Sequence, residues 1–288
     1  MTTNSLNVAV LGAGLIGLDL VEKIQASPYL DCGLVVGRDP KTLGLRRAAA
    51  LGCATSAGGV TALADGGPFD VVFDATSAAA HTAHWSALSE AAPLLVDLTP
   101  SSLGIPVVPA VNGADAPDYG HINLISCGGQ ASIPFLHAIT RDVTATYIEV
   151  VTTVASPTVG RATRINLDEY IATTQAAIRT FTGAEQAKVL VNISPATPPP
   201  PFRVAMTVQA PGLDRARVHA AVKGAEQQAQ AWSPGFTITS CHVTDGQATV
   251  AAEVTATAGR LPAHAGNLHV INAAAVLLAE QRAIGRAL

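Results

Sequence analysis

The feature that most constrains the fold is a glycine-rich segment directly after the first apolar run. Residues 6–11 are largely apolar and strand-like, Gly12-Ala13-Gly14-Leu15-Ile16-Gly17 follow at once, and residues 18–26 continue with helical periodicity. Glycines at these places permit a tight turn, let a pyrophosphate approach the backbone and let the helix pack closely on the strand. The pattern predicts a strand–helix unit that binds a dinucleotide through residues 12–17. The alternative is a glycine turn with a purely structural role.

Apolar runs and helical patterns alternate through the first half of the chain. Strands are predicted at residues 32–36, 69–74, 94–100 and 122–126, with a helix at residues 41–51. This alternation indicates an α/β domain with a doubly wound parallel sheet, the Rossmann fold. Thr76 and Ser77 follow the strand at residues 69–74, at the sheet edge where ligands bind, so they are candidate cofactor-binding residues. His81 and His84 come next and are interpreted as surface or packing histidines.

The end of the second predicted strand leaves the choice of cofactor open. An acidic residue that holds the ribose hydroxyls of NAD is usual near this point, but here Gly37-Arg38-Asp39-Pro40 follow the strand and the acid comes slightly late. Arg38 could instead receive the 2′-phosphate of NADP. The other interpretation of Arg38 is a solvated loop charge, so both NAD and NADP remain candidates.

A second informative segment ends at a cysteine. Strand-forming residues 122–126 lead to Cys127, then to Gly128 and Gly129, and residues 131–140 are predicted to form a helix with Pro134 in its first turn. The positive end of a helix lowers the pKa of a nearby thiol, and its free amides could hold an oxyanion. Most single cysteines are small buried hydrophobes. The position of Cys127 at the carboxyl edge of the predicted parallel sheet, on the side expected for a nicotinamide, favours a catalytic thiol.

Composition restricts the class of protein. The 288 residues suffice for two domains, and a formal net charge of -4 provides no electrostatic footprint for nucleic acid or an anionic membrane. The four cysteines are widely spaced and form no metal-ligand pattern, so we expect reduced thiols in the cytoplasm and no metal. The apolar run at residues 8–18 has no basic leader and stops at Asp19, which predicts neither a signal peptide nor a membrane span.

The second half of the chain has a different pattern. Long predicted strands at residues 147–155, 188–193 and 202–209, and a pair around residues 245–246, are separated by helices at 167–181 and 214–232. This order predicts an α+β domain with a mainly antiparallel sheet covered by helices on one face. We expect a first domain over residues 1–127, completed by a C-terminal helix at 268–288, and a second domain over residues 128–267.

Six segments, spread over nearly the whole chain, carry a resemblance to a known family. They are Gly12 to Gly17, Phe73-Asp74-Ala75-Thr76-Ser77-Ala78, Val96-Asp97-Leu98-Thr99-Pro100, Ser126-Cys127-Gly128-Gly129-Gln130-Ala131, Thr163-Arg164-Ile165-Asn166-Leu167-Asp168-Glu169 and Leu261-Pro262-Ala263-His264-Ala265-Gly266-Asn267-Leu268. In these segments the chain resembles the acylating acetaldehyde dehydrogenases of bacterial aromatic-degradation pathways.

The resemblance implies both a fold and a reaction. The fold would be a Rossmann domain followed by a dimerising domain like that of glyceraldehyde-3-phosphate dehydrogenase. The reaction would oxidise a short aldehyde, with NAD or NADP and coenzyme A, to an acyl-CoA through a thioester on the enzyme. Relatives of this kind form homodimers and partner a 4-hydroxy-2-oxovalerate aldolase, which passes them the aldehyde directly.

The resemblance also implies roles for individual residues. Cys127 would be the nucleophile that forms a thiohemiacetal, loses hydride and becomes an acyl-enzyme that coenzyme A intercepts. Residues 13–16 would surround the pyrophosphate, and Asn267 would stand near the nicotinamide. The expected cofactor and coenzyme A side of the second domain contains Ser156, Gly160, Arg164 and Asn166.

Three positions depart from the family pattern. After the proline-rich loop the family has Arg-Asp, with the aspartate a proposed helper of the cysteine or of coenzyme A, but this chain has Arg203-Val204, and valine cannot accept a proton. His264 replaces the usual tyrosine, and His269 replaces the usual aspartate. Since the unperturbed histidine pKa is about 6.5, His264 could act as the general base that the lost aspartate no longer provides. It could equally be a packing substitute for an aromatic ring.

Three hypotheses of function follow from these matches and departures. The first is an acylating dehydrogenase of acetaldehyde or a similar aldehyde, acting in either direction. The second is an enzyme of altered acceptor, which reduces another thioester or oxidises a semialdehyde. The third is a catalytically degenerate, nucleotide-binding subunit of an aldolase. Cys127 and Asn267 favour an enzyme, whereas Val204 favours the third hypothesis.

Overall fold

The computed structural model describes residues 5–88 and 94–286. The chain divides into two compact units, the first formed by Met1–Leu124 with Asn272–Leu288 and the second by Ile125–Ile271. The boundaries expected from the sequence lay at residues 127 and 268. Of the C-terminal helix expected at residues 268–288, the last two residues lie outside the described part of the chain.

The first unit is a parallel sheet with helices between its strands. Its elements, in chain order, are β1 (Leu6–Leu11), α1 (Leu15–Ala26), β2 (Leu30–Val36), α2 (Leu43–Ala50), β3 (Thr55–Ser56), α3 (Thr61–Gly66), β4 (Val71–Asp74), α4 (Ala78–Leu88), β5 (Leu95–Asp97), β6 (Ile105–Pro106), α5 (Pro109–Asn112) and β7 (His121–Asn123). The sheet order is β3-β2-β1-β4-β5-β7-β6, and every pair is parallel. The predicted doubly wound α/β sheet is confirmed.

The order of the strands places a ligand-binding edge at the centre of this sheet. The chain builds outward from β1 through β2 to β3 and then returns to β4 on the other side of β1. Ligands of such sheets bind beyond the carboxyl ends of the strands at this reversal. All residues of β4 and β5 are buried, as expected for central parallel strands covered by helices on both faces.

The second unit is a five-stranded sheet with helices packed on it. Its elements are α6 (Cys127–Thr140), β8 (Tyr147–Ala155), α7 (Arg161–Ile165), α8 (Leu167–Thr182), β9 (Gln186–Ser194), β10 (Phe202–Gln209), α9 (Arg215–Trp232), β11 (Phe236–Thr244) and β12 (Gln247–Val254), followed by α10 (Gly266–Arg286), which runs on into the residues of the first unit. The sheet order is β11-β12-β10-β8-β9. Alternate residues of β10 and β12 are buried, as the period of two in a half-covered sheet requires.

One strand pair in this sheet is parallel. β8 and β9 run in the same direction, whereas β10 pairs antiparallel with both β8 and β12, and β11 pairs antiparallel with β12. The reason lies in the connection, because α7 and α8 lie between β8 and β9 and return the chain to the starting edge, as a parallel pair requires. The predicted mainly antiparallel sheet is confirmed, with β9 as its parallel member.

The helix after the cysteine begins earlier than the sequence predicts. α6 starts at Cys127, not at residue 131, so Gly128 and Gly129 are helical and Pro134 lies within the helix instead of its first turn. The side chain of Ser126 caps the helix by accepting a hydrogen bond from the Gly129 N–H. This cap allows two poor helix formers to occupy the first turn.

Across the described residues, each helix is too short or too polar to span a membrane.

Candidate active site

Cys127 occupies the first helical position of α6 and follows a strained backbone turn. Ile125 has a φ of 64°, in the left-handed region, although it is β-branched and only 1% exposed. A non-glycine residue in this region costs about 1–3 kcal/mol and persists only where the surrounding packing enforces it. Such strain is concentrated at functional sites. The strained turn therefore indicates that this segment serves to position Cys127.

The phenol of Tyr170 contacts the Cys127 thiol. Its Oη lies 3.5 Å from the Cys127 Sγ and accepts a hydrogen bond of 2.8 Å from the Gly128 N–H. Because a backbone N–H can only donate, the phenol keeps its own proton for another acceptor, such as the sulfur. Tyr170 lies on α8 and is buried. No sequence pattern singles out Tyr170, although it directly follows the segment 163–169 that carries part of the resemblance.

A chain of hydroxyl groups holds the start of α6 against α8. Thr174 Oγ1 donates to the Tyr170 carbonyl at 2.6 Å and lies 2.7 Å from the Ser126 Oγ. Since the Thr174 proton is used on that carbonyl, the Ser126 hydroxyl must donate to Thr174. Its oxygen remains an acceptor for the Gly129 N–H at 2.9 Å. Each group in this chain has one defined role, which fixes the first turn of α6 next to Tyr170.

Gly128 is required by this packing. A Cβ at this position would run into the Tyr170 Oη and would lie 2.6 Å from the Thr152 Oγ1. Only a residue without a side chain lets the backbone of α6 approach these two hydroxyl groups. The glycine after the cysteine therefore makes room for the phenol and is not part of a turn.

Burial raises the pKa of the Cys127 thiol above its ordinary value. The Tyr170 hydroxyl and the N–H groups of Gly128 and Cys127 act in the opposite direction on the pKa but do not outweigh the loss of hydration. Although Cys127 is only half-buried as a residue, the atoms packed around its sulfur desolvate the thiolate. The sequence-based expectation of a lowered pKa is therefore wrong in net direction. Burial also raises the pKa of Tyr170 well above its usual value, and Cys127 adds to this effect, so Tyr170 remains a proton donor.

The suggested oxyanion site is wrong in its details. The Gly128 N–H is engaged by Tyr170, the Gly129 N–H by the Ser126 side chain and the Gln130 N–H by the Ser126 carbonyl. The N–H of Cys127 itself lies close enough to stabilise its own thiolate. Stabilisation of an oxyanion would thus fall to Cys127 and to the Tyr170 hydroxyl.

The glycine-rich loop of the first unit suits a pyrophosphate. Gly12 has a φ of 108°, and a Cβ there would lie 2.7 Å from the Ala75 carbonyl oxygen. Nothing stands within 4 Å of a Cβ built at Gly14, which is the N-cap of α1 and provides no side-chain cap. The first turn of α1 also has no acidic residue. Uncapped N–H groups beside open space form the geometry that binds a dinucleotide phosphate.

The cofactor residues predicted in this unit lie around the same edge. Gly12 to Gly14 connect β1 to α1, and Leu15, Ile16 and Gly17 form the first turn of α1. Gly17 packs against the Gly12 carbonyl, and Gly44 of α2 packs against the Ala13 carbonyl, an approach that the sequence did not indicate.

Polar residues after β2 and β4 have different roles. Arg38 is exposed, whereas the Asp39 carboxylate accepts the Lys41 N–H at 2.8 Å and so serves its own turn. The N–H and hydroxyl of Thr76 both donate to the Asp74 Oδ1, at 3.0 and 2.5 Å. The Ser77 carbonyl accepts the N–H groups of residues 80 and 81 at the start of α4. Arg38 therefore remains the candidate for the adenosine end of the cofactor.

Comparison with known proteins decides the family. The chain is 51% identical to an acetaldehyde dehydrogenase of Streptomyces griseus over 282 residues, which cover 98% of this chain and 92% of that protein. This chain belongs to the acetaldehyde dehydrogenase family. It is also 40% identical to the acetaldehyde dehydrogenase of Brevibacillus brevis over 280 residues (96% of this chain, 95% of that protein) and to that of Burkholderia pseudomallei over 278 residues (96% and 94%). A family model described as "Prokaryotic acetaldehyde dehydrogenase, dimerisation" matches residues 127–262. The resemblance seen in the sequence is confirmed.

Several residues implied by the family resemblance come together in the second unit. The Arg164 guanidinium donates to the carbonyl and the hydroxyl of Ser156, both at 2.9 Å, and to the Val159 carbonyl at 3.2 Å. The Asn267 amide donates to the Thr158 carbonyl at 3.2 Å. Arg164 and Asn267 thus both hold the loop at residues 156–159.

Two features of this group fit a polar ligand. The Asn267 Oδ1 is buried without a hydrogen-bond partner within the described structure, so it could accept an N–H from a carboxamide. Gly160 is the N-cap of α7 and has open space around it. Asn166 is buried between α7 and α8, and its carbonyl accepts the Tyr170 N–H, which joins this loop to the helix that carries the phenol.

The departures from the family pattern occupy three different environments. His264 is half-buried in the segment between β12 and α10, and the described hydrogen bonds of the Cys127 side chain do not include it. Val204 is fully buried on β10, directly opposite Thr152 of β8. His269 is buried in α10. The hydroxyl of Tyr170, and not His264, is the polar group in contact with the thiol in the described structure.

The histidines of α4 are not surface residues. His81 is fully buried, and its Nδ1 lies 2.8 Å from the Asp74 Oδ2, which His84 Nδ1 also approaches at 2.8 Å. The His81 Nε2 lies 2.9 Å from the His121 Nε2 and 3.3 Å from the Asp97 Oδ2. Of the two alternatives, surface and packing, the burial of His81 excludes the surface one, and His81 joins two buried carboxylates.

The ionisable groups of this cluster are buried and shift one another's pKa values. Burial opposes ionisation of Asp74, but the hydrogen bonds from His81 and His84 outweigh it and lower the Asp74 pKa to about 2. Burial raises the pKa of Asp97 to about 6, in spite of His81 and Ser101 nearby. Burial and the neighbouring His81 charge lower the pKa of His121 to about 4.

Proposed function

We propose that this protein is an acylating acetaldehyde dehydrogenase, which converts acetaldehyde or a similar short aldehyde, with coenzyme A and NAD or NADP, to the acyl-CoA. The observation that carries the proposal is the Cys127 thiol at the start of α6 with the Tyr170 hydroxyl 3.5 Å away. This arrangement occurs in a chain whose relatives are named acetaldehyde dehydrogenase over nearly its whole length.

A bound nicotinamide dinucleotide would supply the hydride acceptor. The uncapped turn at Gly12 to Gly14 would hold its pyrophosphate. In the second unit, the unpartnered Oδ1 of Asn267 is a candidate acceptor for an amide N–H. Arg38 would face a ribose or, in NADP, a 2′-phosphate. Comparison of turnover with NAD and with NADP decides between the two cofactors.

The thiol of Cys127 performs the covalent chemistry. Its thiolate adds to the aldehyde carbonyl, and the resulting oxyanion takes a proton to give a thiohemiacetal on the sulfur. Loss of hydride and of the hydroxyl proton converts the thiohemiacetal to a thioester. The thiol of coenzyme A then attacks the thioester carbonyl, which releases acyl-CoA and returns Cys127. A thioester conserves the free energy of aldehyde oxidation, which hydrolysis would lose.

Tyr170 assists these steps through its hydroxyl proton. Its raised pKa keeps it protonated, so it donates to the Cys127 thiolate before attack and is placed to donate to the oxyanion afterwards. The Gly128 N–H, which donates to the phenol oxygen, strengthens Tyr170 as a donor. His264 remains a candidate base for the coenzyme A thiol, and Ser156, Gly160, Arg164 and Asn166 form the candidate surface for coenzyme A.

The assembly belongs to the proposal as well. The match of residues 127–262 to a dimerisation domain supports a homodimer formed through the second unit. An aldolase of the 4-hydroxy-2-oxovalerate type is the proposed source of the aldehyde. The free thiols of all four cysteines support a location in the reducing cytoplasm.

The test is a turnover assay with a choice of acceptors. Absorbance of NADH or NADPH is followed with acetaldehyde and propionaldehyde, in the presence of coenzyme A, pantetheine or no thiol. We expect turnover that requires coenzyme A and that falls at least about 1,000-fold in Cys127→Ala, since the nucleophile is lost. Cys241→Ala is the matched control, because this free thiol lies on β11, and it should leave turnover unchanged.

Other results would redirect the assignment. Turnover with a different thiol acceptor but not with coenzyme A would support the enzyme of altered acceptor. Bound cofactor without turnover on any aldehyde would support the degenerate subunit. Full turnover of Cys127→Ala would refute the thioester reaction.

A further inference from the structure

A group of buried ligand atoms in the first unit takes no part in the proposed reaction. His81 on α4, Asp97 at the end of β5 and His121 at the start of β7 each offer one atom, and these atoms lie within 4.8 Å of one another. His81 and Asp97 are fully buried, and His121 is 8% exposed. The three residues are far apart in sequence, which is why spacing along the chain did not reveal them.

We propose that His81, Asp97 and His121 form a binding site for a divalent transition-metal ion, with zinc the best match. The proposal goes beyond the dehydrogenase reaction and does not depend on it. Two imidazole nitrogens and one carboxylate oxygen are a ligand set that Zn²⁺ accepts, and Fe²⁺ and Mn²⁺ accept it with lower affinity at most sites.

Two of the three distances between the ligand atoms match a coordination sphere. The His81 Nε2 lies 2.9 Å from the His121 Nε2 and 3.3 Å from the Asp97 Oδ2. If an ion lay about 2.05 Å from each atom, the ligand–metal–ligand angles of these two pairs would be about 90° and about 107°. Both angles lie within the range between octahedral and tetrahedral coordination. The third pair, His121 with Asp97, lies within 4.8 Å and must come within about 4.1 Å, twice the metal–ligand distance, for all three atoms to bind one ion.

The contact between the two histidines leaves a place for either a proton or a metal ion between the rings. The His81 Nδ1 donates to the Asp74 carboxylate at 2.8 Å, which directs the Nε2 lone pair of a neutral His81 toward His121 and Asp97. Two imidazole lone pairs cannot face each other at 2.9 Å unless a proton or a metal lies between them. Two fully buried carboxylates, Asp74 and Asp97, also need positive charge nearby. A divalent ion between two neutral histidines would bring two positive charges to these two carboxylates, whereas a protonated His81 brings one.

The surroundings have the features of a metal site's supporting shell. A histidine ligand that donates its other N–H to a carboxylate, as His81 does to Asp74, is the usual arrangement around protein-bound zinc. The Thr99 N–H donates to the Asp97 Oδ1 at 2.7 Å. The Ser101 hydroxyl at 2.5 Å and the Asn123 amide at 2.7 Å donate to Oδ2, so an ion bound to Oδ2 would replace one of these two hydrogen bonds. Trp85 stacks on the His121 ring with centroids 4.2 Å apart. The ion would tie α4 to β5 and β7.

The first test measures metal on the full-length protein. The protein is treated with a chelator, incubated with Zn²⁺, dialysed and analysed for metal by mass spectrometry. We expect about one Zn²⁺ per chain and a higher Tm than in the chelator-treated sample, because an ion that binds only the folded state stabilises it. His121→Asn should lose both effects. His242→Asn, which removes a histidine of β11 in the other unit, should keep both.

A second measurement does not depend on any variant. Co²⁺ bound to nitrogen and oxygen ligands should give visible absorption bands that Zn²⁺ abolishes. Less than about one-tenth of an equivalent of Zn²⁺ on the wild type, with no Co²⁺ bands, would overturn the proposal and leave a proton between His81 and His121. Equal metal content in His121→Asn and wild type would overturn it too, because the ion would then bind elsewhere.

Discussion

Replacement of Tyr170 by phenylalanine is the change that tests the active-site geometry in most detail. It removes one oxygen atom and leaves the ring, which lies on α8 and is buried. The lost atom is 3.5 Å from the Cys127 Sγ and accepts the Gly128 N–H at 2.8 Å. The variant should therefore fold, with a thiolate that has lost a donor and a backbone N–H that has lost its acceptor.

The size of the effect follows from the contacts. A hydrogen bond to a charged group contributes about 1.5–3 kcal/mol, and the long contact to sulfur argues for the lower end, about one pKa unit. Below the thiol pKa, the thiolate population should fall about tenfold. Thiolates become more nucleophilic as their pKa rises, with a Brønsted coefficient of about 0.4–0.5. A rise of about one pKa unit should therefore increase the rate constant of each thiolate about threefold. The net loss in the rate of alkylation should be about threefold.

The direction of the pH dependence is equally defined. Burial already raises the Cys127 pKa, and Tyr170 is the first of the groups that lower it. Wild type should therefore react slowly with iodoacetamide near neutral pH and faster as the pH rises through its raised pKa. In Tyr170→Phe the inflection should lie about one unit higher, with a higher rate above it.

The assay is the rate of iodoacetamide modification of Cys127 from about pH 6 to pH 10, read from the peptide that contains it. Tyr147→Phe is the matched control, because it deletes a tyrosine hydroxyl that bonds Glu149 at 2.9 Å and not the thiol. Its profile should equal that of the wild type. An unshifted profile in Tyr170→Phe, in a protein with native circular dichroism, would refute the role given to the phenol.

Three further substitutions test the supports of the site. Gly128→Ala should lower kcat/KM at least about 100-fold, since its methyl group would displace the Tyr170 hydroxyl and reacting groups tolerate little misplacement; activity within about threefold of wild type would contradict this. Ser126→Ala removes the N-cap of α6, so calorimetry should show a loss of about 0.5–2 kcal/mol, and an unchanged Tm would argue against the cap. Gly12→Ala forces a Cβ to within 2.7 Å of a carbonyl oxygen at a φ of 108°, so fluorescence titration should show cofactor affinity at least about tenfold weaker. The control Gly224→Ala, with nothing near its Cβ, should bind the cofactor as the wild type does. Equal affinity in the two variants would contradict the role of the glycine-rich loop.

The fold could be predicted because its signals are local. The glycine pattern after β1 and the alternation of strands with helices define a doubly wound sheet without knowledge of distant contacts. The limits of α8 and β10 followed from periodicity in the same way. The parallel pairing of β9 with β8 was not predicted, because strand direction depends on how α7 and α8 return the chain.

The cysteine could be predicted, but its environment could not. Cys127 stands out by its position after a strand and before two glycines. Its contact with Tyr170 joins α6 to α8 across 43 residues of sequence, and no periodicity reports that. The net direction of the pKa shift was wrong for the same reason, since desolvation depends on packing from several elements.

The buried histidines show a related limit. His81 and His84 have the helical spacing that surface and packing histidines also have. Their partner Asp74 lies on β4, and His121 lies 40 residues beyond His81. Only the folded sheet brings these side chains together.

Transfer of an acyl group to Cys127 can be measured directly by the intact mass of the protein. The purified protein is exposed briefly to acetyl-CoA, propionyl-CoA and longer acyl-CoAs without cofactor, and Cys127→Ala is treated in parallel. We predict a mass gain of one acyl group on the wild type and none on the variant, with the largest yield for the preferred chain length. An equal gain on Cys127→Ala, or no gain on a wild-type protein that still binds NAD or NADP, would contradict it.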